Sequence, residues 1–194
     1  MKNHLKKTLV LALIIASGPF AAAADANNII VNPNLQSSGE KIEGWIKMLG
    51  TLESSENPGN GEACGKMNLT SIVTTDENSD SPLAKSRIYQ TIEALTPGDY
   101  MLSFSLSGKN LKAIYVVLRF QKEPGMNNDT LLGTFKKYIN TQQLPGDDEW
   151  KKYIAVVSVP PGSETGYLIV ESFAEPGQEA YSLLNNVKLV KQED

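Results

Sequence analysis

The sequence predicts an all-β protein, a sandwich of two antiparallel sheets built from about ten strands. Three observations predict it. Runs in which apolar and polar residues alternate recur along the chain, whereas no segment after Ala26 holds a 3.6-residue apolar period over three turns. Turn-forming Pro and Gly separate the runs: Asn57-Pro58-Gly59-Asn60-Gly61, Pro97-Gly98, Pro124-Gly125, Pro145-Gly146, Pro160-Pro161-Gly162 and Pro176-Gly177. Residues 27–194 also suit one hydrophobic core, with no internal repeat and no low-complexity linker to divide them.

In chain order, residues 1–26 read as a secretory leader. Lys2, Lys6 and Lys7 precede an apolar run from Leu9 to Ile15, and Ala21 to Ala24 supply small residues for cleavage after Ala24 or Ala26. The run is shorter than the roughly 20 residues needed to cross a bilayer, so the segment reads as removed rather than kept as an anchor. The expected location is secreted or periplasmic. Strands are expected at 27–31, 44–51, 65–74 and 87–94. In the next, Tyr100, Leu102, Phe104 and Leu106 alternate with Met101, Ser103, Ser105 and Ser107. Ile114, Val116, Leu118 and Phe120 then alternate with Tyr115, Val117, Arg119 and Gln121, and a strand at 131–138 follows. Tyr153, Ala155, Val157 and Val159 alternate with Ile154, Val156 and Ser158, before strands at 166–173 and 180–190. Thr74 to Ser86 is polar and reads as a surface loop. Trp45 and Trp150 stand at strand starts, where a large ring can plug the open end of a sandwich.

Composition removes several chemistries. Cleavage takes away His4, the only histidine, so a mature chain has no Ser-His-Asp or Cys-His machinery. A single cysteine, Cys64, excludes an intrachain disulfide and a cysteine metal cluster, and reads as a half-buried structural thiol. Three of the 18 basic residues leave with the leader while all 22 acidic ones stay after cleavage at Ala24, which makes the mature charge −7. That balance argues against nucleic acid and anionic membrane surfaces as partners. Carboxylate-pair chemistry of the glycosidase kind stays open.

Four blocks, in order, resemble the jelly-roll carbohydrate-binding modules grouped around families 4, 9 and 22, within the galactose-binding-like superfamily. They are Asn28-Ile29-Ile30-Val31-Asn32-Pro33-Asn34-Leu35 with Gly44-Trp45, Ile88 to Ile92 with Leu95 to Phe104, Glu149-Trp150 to Pro160, and Tyr181 to Leu189. The resemblance implies a jelly roll and an exported, non-catalytic module holding a poly- or oligosaccharide on one sheet. Two positions depart from the pattern. Ser105 stands where relatives often carry an aromatic residue. Gln36 and Asn185 stand where many relatives place acids around a structural calcium. Neutral amides in place of carboxylates weaken such a site, so no cofactor is expected.

Pyranose rings present apolar C–H faces to aromatic rings, and hydroxyls to amide, guanidinium and carboxylate groups. On the non-core phase of 113–121, Tyr115, Arg119 and Gln121 share one face at about 7 Å per residue pair. Tyr89, Tyr167 and Glu171 are expected beside them, with Met101, Ser103, Ser105 and Ser107 as a groove floor. Three readings remain: a glycan-binding module, a β-sandwich for protein interaction or surface assembly, and a small glycoside hydrolase with a carboxylate pair.

Overall fold

The computed structural model describes residues 27–38, 41–56, 61–73 and 82–193. The expected leader lies outside the described residues. Thirteen strands appear in order: β1 (Ser37–Ser38), β2 (Lys41–Ile42), β3 (Ile46–Leu49), β4 (Glu53–Glu56), β5 (Ala63–Asn68), β6 (Ser71–Val73), β7 (Leu83–Glu93), β8 (Gly98–Lys109), β9 (Leu111–Gln121), β10 (Leu131–Asn140), β11 (Lys151–Val159), β12 (Thr165–Ala174) and β13 (Tyr181–Lys191). Ten of them have four residues or more.

All strand pairings are antiparallel. One sheet runs β10-β9-β12-β7-β3, with β6 also on the β7 edge, and the other runs β11-β8-β13-β5-β4. The chain changes sheet at nearly every turn after β7, which is the jelly-roll pattern, and neither sheet closes into a barrel.

The inward faces carry the alternating apolar residues. Ile114, Val116, Leu118 and Phe120 of β9 meet Leu102, Phe104, Val157 and Val187 of the opposing sheet in one buried cluster. Phe104 and Tyr153 stack there with ring centres 5.4 Å apart. Trp45 is buried in the same cluster and its Nε1 donates to the Asn32 carbonyl at 3.2 Å. At one end the core turns polar, and the Ser172 and Ser182 hydroxyls link the two sheets at 2.7 Å.

Several boundaries differ from the sequence reading. Residues 27–31 make one bridge, Asn28 to Val190, instead of a strand. The expected strand 44–51 ends at Leu49. Gly50, at φ +72, turns the chain so that β4 joins the other sheet. The expected strand 65–74 is likewise divided, with β5 in one sheet and β6 in the other. The surface loop expected over 74–86 is overturned at its end, because β7 starts at Leu83 and Ser86 is a buried strand residue; residues 74–81 lie outside the described residues. Cys64 is fully buried rather than half-buried. Burial pushes its thiol pKa up, and the nearby Lys66 charge only partly opposes this.

Candidate functional site

The solvent face of the β10-β9-β12-β7-β3 sheet gathers side chains in rows across the strands. The row through Tyr115 contains Tyr138, Tyr115, Glu171 and Arg87. The next contains Lys136, Val117, Ile169, Tyr89 and Ile46. The third contains Thr134, Arg119, Tyr167 and Thr91, and Gln121, Thr165 and Glu93 follow. Ala113, Phe173 and Lys85 form the opposite end. All six residues singled out from the sequence, Tyr115, Arg119, Gln121, Tyr89, Tyr167 and Glu171, therefore share one face. Period-two strands paired without a shift across this region put them there.

One end of the face is aromatic and basic. The Tyr115 ring lies 4.7 Å from Tyr138 and 5.4 Å, edge-on, from Phe173. Lys136 Nζ sits 4.3 Å above the Tyr115 ring, and Lys85 Nζ 4.8 Å from the Phe173 ring. Glu171 accepts an ion pair from Arg87 and another from Lys85 at 3.3 Å. Arg87 Nε is buried without a hydrogen-bond acceptor. Tyr138 is exposed, whereas Tyr115, Tyr89, Arg87 and Glu171 are half-buried. Such a mixture of ring faces and charged tips can hold a polar ligand with apolar faces.

The other end is clasped by the loop between β9 and β10. Gly125 N donates to the Tyr167 hydroxyl at 2.6 Å, Arg119 Nη2 to Asn128 Oδ1 at 2.7 Å, and Thr130 Oγ1 to Gln121 Oε1 at 2.9 Å. Gln121 and Tyr167 are buried as a result, and Gln121 Nε2 has no partner. These two hold the loop, leaving Tyr115, Tyr89, Arg119 and Glu171 as the accessible members of the set. Beside this end, clefts of about 540 Å³ and 990 Å³ share Thr91 and Glu93 in their walls.

The expected groove floor is a correction. Met101, Ser103, Ser105 and Ser107 belong to β8 in the other sheet, so they face the opposite side of the molecule. Trp150 precedes β11 in that sheet and is half-buried, with Nε1 unpartnered. Asn185 is buried and its Oδ1 accepts from Asn186 N at 2.6 Å; Gln36 is exposed, its backbone bonded to the Asn32 side chain. Among the described residues no three His, Cys, Asp or Glu side chains cluster as a metal site would need.

Sequence reasoning missed Tyr138, Phe173, Lys136, Lys85 and Arg87. Their signal was present as alternation, in Thr134-Lys136-Tyr138 and Lys85-Arg87-Tyr89-Thr91, but only the pairing of β10 and β7 around β9 and β12 makes them neighbours.

No protein-family model matches the chain, and no curated protein matches it in sequence. Solved structures do match its fold. A family 61 carbohydrate-binding module in complex with β-1,4-galactotriose aligns at TM-score 0.55 and 14% identity, over 85% of this chain and 99% of that one. A family 16 carbohydrate-binding module aligns at TM-score 0.55 and 15% identity, over 84% and 100%. The carboxy-terminal family 22 module of Clostridium thermocellum Xyn10B aligns at TM-score 0.55 and 11% identity, over 86% and 96%. The chain thus has the jelly-roll fold of carbohydrate-binding modules.

Proposed function

We propose that this chain is an exported, non-catalytic carbohydrate-binding module that holds a poly- or oligosaccharide on the solvent face of the β10-β9-β12-β7-β3 sheet. The observation that carries the reading is the Tyr115, Tyr138 and Phe173 cluster with Arg87, Lys136 and Glu171 around it and Arg119 two rows further along the same face, on a fold shared with carbohydrate-binding modules. Tyr115 in contact with two further rings, Tyr138 and Phe173, need not sit on a solvated face for the sandwich to fold. They offer a sugar an apolar platform, and the charged tips reach its hydroxyls.

The carboxylates of this face support binding over hydrolysis. Glu171 and Glu93 lie six positions apart along the β12 register, about 20 Å at strand spacing. Paired-carboxylate glycosidases need about 5–10 Å.

A glycan array followed by calorimetric titration tests the proposal. Tyr115→Ala and Tyr138→Ala are each expected to weaken binding by roughly 1–3 kcal/mol, by analogy with base stacking on aromatic platforms, or about five- to 150-fold. Unchanged affinity in folded variants places the ligand elsewhere, and the absence of any glycan ligand defeats the reading.

A further inference from the structure

The charge of the candidate face runs against the charge of the chain. The whole sequence carries 22 acidic and 18 basic residues. Yet the three central rows and the Phe173 end place Lys85, Arg87, Arg119 and Lys136 on one side of the sheet with a single carboxylate, Glu171. The other acidic strand residue of the face, Glu93, stands at its far end opposite Thr165.

Glu171 is shared by Lys85 and Arg87, so one carboxylate faces two cations. Lys136 has no carboxylate within 4.0 Å among the described residues, and its ammonium rests on the Tyr115 ring. Arg119 bonds the neutral amide oxygen of Asn128, next to Asp129, and among the described residues no carboxylate lies within 4.0 Å of its guanidinium. Like charges gathered this way repel one another and cost stability. Neutral sugar hydroxyls do not require them, because amides and carboxylates serve hydroxyls as well. Anionic groups on the ligand would offset the repulsion, and guanidinium is the side chain best shaped to take a carboxylate or sulfate through two parallel hydrogen bonds.

We infer that the glycan is anionic, a polysaccharide carrying carboxylate or sulfate groups, with Arg119 and Lys136 taking the negative charge and Tyr115 and Tyr138 the ring face. Arg119 and Tyr115 are four residues apart on β9, about 13 Å, a separation that an extended oligosaccharide spans and a single sugar ring does not. This inference rests on the proposed glycan-binding face and adds the class of ligand.

The test is titration of the purified protein with three probes of matched length: a polyuronate, a sulfated polysaccharide and a neutral polysaccharide. Stronger binding to either anionic probe than to the neutral one is expected, weakening as sodium chloride is raised. The polyuronate and sulfated arms identify which anion is preferred. Lys136→Gln and Arg119→Gln are each expected to lower affinity for the preferred anionic probe about 1.4- to fivefold, the range for solvent-exposed ion pairs. Lys136→Arg, which keeps the charge, is expected to restore most of the loss. Equal or tighter, salt-insensitive binding to the neutral probe overturns the inference while leaving the glycan-binding face intact. Binding to none of the three defeats both.

Discussion

Gly65→Ala tests how the amino-terminal segment is seated. Gly65 lies in β5, where a Cβ would come 2.4 Å from Leu35 Cδ2, 2.9 Å from its Cβ and 3.1 Å from its Cγ. Leu35 is fully buried and has little room to withdraw. Its backbone, at φ +52, donates to the Asn32 carbonyl at 3.0 Å, and the Asn32 side chain bonds Gln36 N and O at 2.9 and 2.7 Å. Pro33 O accepts from Val187 N of the closing strand at 3.0 Å. An added methyl therefore overpacks a pinned side chain, which costs about 1–3 kcal/mol. For a domain of this size that lowers the melting temperature by roughly 2–12 °C. Leu35→Ala alone removes a buried leucine and costs about 2–5 kcal/mol. In the double variant the new methyl enters the space the leucine vacated, so the total falls below the sum of the two, with a coupling of about 0.5–3 kcal/mol. Thermal and urea unfolding of the four proteins measure the cycle. A Gly65→Ala protein as stable as wild type, or strict additivity, refutes the packing argument.

Two further outcomes follow from buried or paired ionisable groups. Burial raises the Cys64 thiol pKa, so the folded protein is expected to resist a thiol reagent at neutral pH and to react fully in denaturant; rapid native-state reaction would contradict this seat for the residue. The Tyr181 phenol is pushed up to about 12, first by its hydrogen bond to Asp148 and then by burial and the charges of Asp148, Glu179 and Asp147. A raised folded-state pKa adds stability that is present below the unfolded value of about 10 and is lost as pH climbs through 12. Urea unfolding from pH 9 to 12 is expected to show a shallower alkaline loss in Tyr181→Phe than in wild type, and identical slopes would refute the assignment.

Much of the fold was legible because the strongest strands keep apolar and polar residues on separate faces. In β9 the inward phase from Ile114 to Phe120 is wholly apolar, which set the register and placed Tyr115 and Arg119 outward together. In β7 the pattern was blurred by Ser86 and Gln90 on the core side. Gln90 is accommodated there because its amide completes the backbone of the amino-terminal segment: Val31 N donates to Oε1 at 2.8 Å, and Nε2 donates to Val31 O at 2.8 Å. A polar core residue that substitutes for a neighbouring strand breaks binary patterning without breaking the core. In β12, Thr165, Tyr167 and Ile169 are buried even on the solvent side; the loop after β9 reaches over Tyr167, where Gly125 N donates to its hydroxyl, and Ile169 is flanked by Val117 and Tyr89.

Sheet membership was the part that sequence could not supply, and it decides the site. β8 and β9 are joined by Asn110 alone, at φ +55, a connection that locally resembles a tight hairpin. Asn110 is held instead by the Asp147 carboxylate, which accepts from its N–H at 3.1 Å, and by the Glu179 carbonyl, which accepts from its side chain at 2.9 Å. Those partners lie 37 and 69 residues further along the chain, and the strands β11 and β13 that claim β8 for the opposite sheet begin just after them. The serines of β8 are thereby removed from the groove they were expected to floor. The face beside Tyr115 is completed by β12 and β10, and it is these strands that bring Glu171, Phe173, Lys136 and Tyr138 to the ring. Local turn chemistry specifies that a chain bends. Which sheet the next strand joins is set by contacts made far away in sequence, and so is the chemistry that its outward side chains share.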